Sequence, residues 1–155
     1  MQLKKRIFAA LAVTTLCAAG AAHAGPAVTV TVKNLGTAEA KYSMVGNVEA
    51  LTNAGATPKP ADVIRPKEAS TFVVRGALSP DMTTAVLRYK IGAKTCVFKT
   101  AFVNTIVPGG LGSGTIKKAP KWTKDAESTG GARCNASISA TSLSDFSWKA
   151  EFTIQ

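Results

Sequence analysis

Apolar and polar residues alternate along most of the chain after residue 26. The clearest runs are Val28 to Lys33, where valines alternate with threonines and a lysine, and Phe146 to Ile154, where aromatic residues lead. A period of two, rich in β-branched residues, is typical of strands with one buried face. Strands are predicted over 28–33, 40–48, 61–65, 70–74, 85–91, 94–103, 134–140 and 146–154.

The two central runs, 85–91 and 94–103, predict a β-hairpin. Gly92 and Ala93 separate them, and glycine at the first position of a two-residue loop favours a type II′ turn. That turn places Tyr89 opposite Cys96 and Leu87 opposite Phe98. Both pairs then lie on the apolar face, so the turn and the alternation predict the same register.

Three stretches predict loops because they lack apolar periodicity. They are 52–60, the glycine-rich run from Pro108 to Pro120, and 121–132. No long helical period and no internal repeat is present after residue 24. The pattern therefore predicts an all-β fold, a single antiparallel β-sandwich of about seven to eight strands, with a small β-barrel as the alternative.

Residues 1–24 have the three-part layout of a secretory signal peptide. Lys4, Lys5 and Arg6 precede a short apolar stretch, and Ala22-His23-Ala24 supplies a cleavage site. We expect cleavage there, a single domain over 25–155, and export to the periplasm or the medium. The apolar stretch is shorter than the roughly 20 residues that span a bilayer, and 25–155 contains no candidate transmembrane segment.

Cleavage changes the cysteine and charge balance. Cys17 leaves with the signal peptide, and the remaining pair predicts one disulfide, Cys96–Cys134, in an oxidising compartment. The chain has 19 Lys+Arg and 9 Asp+Glu; removing three basic residues leaves 16, so the charge after cleavage is +7.

Several chemistries are excluded from the mature chain. The one histidine, His23, lies in the signal peptide, so neither a Ser-His-Asp triad nor a Cys-His nucleophile can form. Asp125 and Glu127 form the one close carboxylate pair, which is typical of a solvated segment. We expect no catalytic residue, no metal and no cofactor, although chemistry based on carboxylates alone stays open.

Two basic features are candidates for binding. The first combines lysines with a tryptophan in a predicted loop: Lys117, Lys118, Lys121, Trp122 and Lys124. The second is the polar face of the central hairpin: Arg88, Lys90 and Lys99. Positive charge favours anionic lipid, polysaccharide or an acidic protein as partner, and export argues against nucleic acid. The sequence thus predicts an exported, non-catalytic binding module with a basic surface.

Other functions stay open. The order of a V-x-V-x-V-x-N strand (Val28 to Asn34), an I-x-P turn (Ile64 to Pro66) and a cysteine-bearing hairpin is similar to that of aegerolysins. This resemblance of layout, over about 70 residues, implies a membrane-active small β-sandwich. The first strand alternatively suits a surface-assembly subunit. The loop from Pro108 to Pro120 suits an exported inhibitor or immunity protein.

Overall fold

The computed structural model describes residues 24–107 and 117–155. Residues 1–23 of the predicted signal peptide (1–24) and residues 108–116 of the predicted glycine-rich loop (108–120) lie outside the described residues. The elements in chain order are β1 (Ala27–Asn34), β2 (Ala40–Tyr42), α1 (Asn47–Gly55), β3 (Ala56–Thr57), β4 (Val63–Ile64), β5 (Ala69–Arg75), β6 (Met82–Ile91), β7 (Lys94–Ile106), β8 (Lys118–Thr129), β9 (Cys134–Thr141) and β10 (Trp148–Ile154).

The strands form two five-stranded sheets that pack face to face as a sandwich. The first sheet has the order β3-β5-β1-β10-β9, and the second has the order β4-β2-β6-β7-β8. The predicted sandwich is therefore confirmed, and the barrel alternative is wrong. One pairing departs from the predicted antiparallel arrangement, because β1 and β10 run parallel at the centre of the first sheet. A parallel pair needs a long crossover, and here the chain that connects β1 to β10 includes all five strands of the second sheet.

The core lies between the sheets and comes from the inward positions of the alternating strands. Phe98 of the second sheet stacks on Phe152 of the first, with ring centroids 4.8 Å apart. The predicted Cys96–Cys134 disulfide is confirmed; it joins β7 to β9 and so links the sheets, with Cα atoms 5.7 Å apart. The largest fully buried side chains are Tyr89, Phe72, Phe98, Phe102, Phe152, Ile64, Leu87, Ile154, Val28, Val30, Val32 and Val74.

The central hairpin has the predicted register. Tyr89 lies opposite Cys96 and Leu87 opposite Phe98. Gly92 has a positive φ of 59° and Ala93 does not, as a type II′ turn requires. The alternation of side chains and the turn residue favour the same register, which explains why this pairing could be predicted from the sequence.

Three local predictions are wrong. Residues 47–55 form helix α1, where the end of a strand and the start of a loop were predicted. The predicted loop over 121–132 is mostly strand β8, which pairs along β7 from Lys118 to Thr129. The last strand begins at Trp148, and Phe146 precedes it with a positive φ of 58°.

Candidate functional site

The lysine- and tryptophan-rich segment lies on strand β8, so its side chains point to opposite sides of the second sheet. Lys121 lies opposite the exposed Val103, whereas Trp122 lies opposite the buried Phe102. The rings of Trp122 and Phe102 are 5.5 Å apart, and the Trp122 indole N–H donates to the Phe146 carbonyl at 3.2 Å. Trp122 is therefore half-buried and packs against the core.

Two lysines of this segment bind other parts of the fold. Lys118 forms an ion pair with Asp81, and its hydrogen bond lowers the pKa of that carboxyl. Lys124 donates from Nζ to the Ala136 carbonyl of β9 at 2.6 Å, so it bridges the two sheets. Lys117 and Lys121 are exposed. The strand conformation thus places Lys121 on one face of the second sheet and Lys118, Trp122 and Lys124 on the other.

Of the three candidate residues on the central hairpin, Arg88 and Lys99 form ion pairs within the fold. Arg88 donates from Nε to Oε1 of Glu49 on α1 at 2.9 Å, and the Glu49 side chain is only 4% exposed. Lys99 forms an ion pair with Glu127, and this hydrogen bond raises the pKa of Lys99. Arg88 and Lys99 therefore hold structural partners, and Lys90 differs from both.

Glu49 is the buried anchor of α1. Burial raises its pKa, but the N–H groups of Val45 and Gly46 and the Arg88 guanidinium donate to its carboxylate. The donors outweigh burial, so the pKa of Glu49 is lowered and the carboxylate stays charged. One side chain thus caps the helix and fixes it to β6.

Lys90 lies directly opposite Lys41 of β2 in the antiparallel register. Both are exposed, and because their neighbours Tyr89 and Tyr42 turn towards the core, both lysines face outward. Side chains directly opposite on paired strands have Cβ atoms about 5 Å apart, and like charges there repel. Within residues 24–107 and 117–155, neither lysine has a carboxylate within ion-pair distance. The Lys41–Lys90 pair is therefore the strongest candidate anion site.

Sequence reasoning found Lys90 but missed Lys41. The strand containing Lys41 has only three residues. The chain between it and its partner β6 includes helix α1, which the alternation does not reveal. The residues around Lys41 do not indicate that it lies opposite Lys90, which is almost 50 positions away in the chain. The candidate pair depends on tertiary pairing.

The described parts of the chain hold no group of three or more histidine, cysteine, aspartate or glutamate side chains placed to bind a metal ion. Within the same residues, no helix has both the length and the apolar character needed to cross a membrane. Comparison with known protein families and with curated proteins finds no match to this chain. The similarity to aegerolysins therefore remains one of layout.

Proposed function

We propose that this protein is an exported, non-catalytic binding module that contacts an anionic envelope or cell-surface partner. Carboxylate or phosphate groups of a lipid, a polysaccharide or an acidic protein supply the negative charge. The observation that supports the proposal is the Lys41–Lys90 pair, two exposed lysines held opposite each other with no carboxylate partner among the described residues.

The rigid scaffold favours this role for the pair. Two like charges on neighbouring strands lower stability slightly, and an anion between them removes the repulsion. The pair lies on paired strands of a sandwich stapled by Cys96–Cys134, so little backbone entropy is lost on binding. Lys94, exposed at the turn of the same hairpin, adds positive charge at this end of the sheet.

The test uses the double variant Lys41→Glu with Lys90→Glu. Binding is measured to vesicles containing one-third phosphatidylglycerol, to pure phosphatidylcholine vesicles, and to soluble dextran sulfate. We expect the unchanged protein to bind the anionic probes at low salt and to release them as salt rises. The double variant should bind them about tenfold or more weakly, since each lysine contributes about 1 kcal/mol near an anionic surface.

The matched control is Lys117→Glu with Lys121→Glu, which makes the same change in net charge at the start of β8. This control should retain most of the binding. An equal loss in both double variants would mean that overall charge and not this pair attracts the anion. Binding of the unchanged protein that is indifferent to salt and to vesicle charge would overturn the proposed function.

A further inference from the structure

Helix α1 has an inverted amphipathic pattern. Its buried residues are Glu49 and Thr52, whereas Val48 and Leu51 are 49% and 61% exposed. Polar contacts impose this orientation: Glu49 pairs with Arg88, and the Thr52 hydroxyl accepts the N–H of Val86 at 2.9 Å. The apolar side of the helix consequently faces outward beside strand β6.

The exposed side of α1 forms one wall of an apolar groove of about 540 Å³. Leu78 and Met82, which are 80% and 40% exposed, lie on the other side, and the buried Val74 also lines the groove. Soluble proteins rarely leave contiguous apolar surface open without a use for it. We define the apolar groove as the cleft between α1 and the segment from Val74 to Met82.

The edge of strand β6 is open at one position in this groove, Thr84, because the Met82 N–H donates to the Ser79 carbonyl and the Val86 N–H donates to the Thr52 hydroxyl. In an antiparallel sheet, the N–H and the carbonyl of one residue point towards the same neighbouring strand, and those of the next residue point the opposite way. The Arg88 carbonyl accepts from Ser43, and the Val86 N–H donates to Thr52, so these even-numbered residues point away from β7. Thr84 is two residues earlier and lines the groove, so its N–H and carbonyl point to the same open edge.

Nothing in the described chain pairs with that edge at Thr84. The register between β2 and β6 covers Tyr89 and Lys90 and ends well before Thr84. Within residues 24–107 and 117–155, no strand pairs with β6 on this side at Thr84. No side chain in these ranges forms a hydrogen bond with the N–H or the carbonyl of Thr84. A donor and an acceptor are therefore open beside apolar walls.

The charge of the groove narrows the class of occupant. Arg75 is the one charged side chain among the groove's described lining residues, and no carboxylate lies with it. An acyl chain would satisfy the apolar walls but would leave the peptide groups of Thr84 unpaired. An extended peptide satisfies both, and an acidic residue in it complements Arg75.

We propose that the apolar groove binds an extended apolar segment of a partner protein by β-strand addition at Thr84. The segment pairs its backbone with the N–H and carbonyl of Thr84 and places alternate apolar side chains between Leu51 and Leu78. An acidic residue of the segment lies near Arg75. This surface is at the opposite end of β6 from Lys90, so neither proposal depends on the other.

The test begins with selection of displayed random heptapeptides on the purified protein. We expect enriched sequences that alternate apolar residues and contain an acidic residue. The strongest is synthesised as the probe, and amide hydrogen exchange is measured with and without it. The Thr84 amide should exchange fast in the free protein and at least about tenfold more slowly with the probe bound.

Two controls separate strand addition from other modes. The same probe with N-methyl groups on alternate amides keeps its side chains but loses its backbone donors, and it should bind at least about tenfold more weakly. Leu51→Lys should weaken the unmodified probe to a similar extent. Leu143→Lys is the matched variant, because Leu143 is 73% exposed away from the groove, and it should leave binding unchanged.

Several results would overturn the proposal. They are failure of the selection to enrich any heptapeptide that binds the protein, equal binding of the N-methylated and unmodified probes, or fast hydrogen exchange of the Thr84 amide in the complex. Displacement of the probe by dodecanoate with no change at Thr84 would show apolar association instead. Dimerisation that depends on Leu51 would show that a second copy occupies the groove.

Discussion

Trp148 on β10 donates its indole N–H to the hydroxyl of Thr100 on β7 at 2.8 Å. The two residues are 2% and 1% exposed and belong to different sheets, so this hydrogen bond crosses the core of the sandwich. The Thr100 hydroxyl in turn donates to the Thr123 carbonyl of β8 at 3.0 Å. An indole N–H can only donate, and burial without an acceptor would be costly. The core thus keeps a large aromatic ring with its one polar atom satisfied.

Replacing Trp148 with alanine tests this arrangement. We expect Trp148→Ala to lower the free energy of unfolding by about 3–5 kcal/mol, because it empties a large volume between the sheets. The measurement is chemical denaturation followed by circular dichroism. Lys149→Ala is the control, since Lys149 is exposed on the same strand, and it should change stability by less than about 0.5 kcal/mol. A loss below about 1 kcal/mol for Trp148→Ala would contradict burial of this face.

The Glu49–Arg88 pair predicts an acid-sensitive contribution to stability. The pKa of Glu49 is lower in the folded protein than in the unfolded chain, where it is about 4.3. The contribution is therefore fully present above that value and is lost as pH falls through the folded-state pKa. At pH 7 we expect Glu49→Gln to cost about 1–3 kcal/mol, because Arg88 loses its charged acceptor.

The measurement is the free energy of unfolding from pH 7 to pH 3 for both proteins. The difference between them should shrink steadily below about pH 4.5. Glu151→Gln serves as the control, because Glu151 pairs with Lys33 at the surface, where both side chains are more than a third exposed. A constant difference between Glu49→Gln and the unchanged protein across this range would rule out Glu49 as the titrating group.

The elements that could be predicted are those whose buried face is apolar. The β6–β7 hairpin follows the alternation from Ala85 to Ile91 and ends at a glycine with the required φ. Helix α1 was missed because it buries Glu49 and Thr52 and exposes Leu51, the reverse of the pattern from which a helix is predicted. Its orientation depends on polar contacts with β6, which no local pattern reveals.

Strand β8 was missed for a related reason. It lies at the edge of its sheet, and it is exposed at most positions on both faces, with lysines on each. Trp122 carried the one structural signal, an aromatic residue at an inward position, but the lysines around it suggested a loop. The basic composition of the binding candidates was visible in the sequence, whereas the partners of Arg88 and Lys118 depended on the fold.

Two adjacent glycines between β8 and β9 offer a matched test of backbone packing. Gly130 and Gly131 both have positive φ, 65° and 76°. A Cβ at Gly130 would lie 2.1 Å from the Ala93 carbonyl oxygen, whereas one at Gly131 would meet nothing within 4 Å. Gly131→Ala should therefore cost about 1–2 kcal/mol from backbone conformation alone. Gly130→Ala adds a clash with the hairpin turn, and we expect about 1–3 kcal/mol more.

Thermal and chemical denaturation of both variants would show the difference. The hairpin turn at Ala93 must move away from Gly130→Ala, so its amide signals should shift in that variant and not in Gly131→Ala. Equal stability of the two variants would mean that the turn and the β8–β9 connection are not in contact.

The Cys96–Cys134 disulfide ties β7, an inner strand of the second sheet, to β9, an edge strand of the first. Its sequence separation is 38 residues, and closing a loop of that size stabilises a fold by about 4 kcal/mol in the chain-entropy model. Cys96→Ala with Cys134→Ala should lower the free energy of unfolding by about 2–4 kcal/mol, and dithiothreitol should have the same effect on the unchanged protein. The double variant itself should not respond to dithiothreitol, which makes it the control. Because both sulfur atoms are joined in the bridge, a thiol reagent should label neither cysteine when the protein is unfolded without a reductant, and stoichiometric labelling would contradict the bridge.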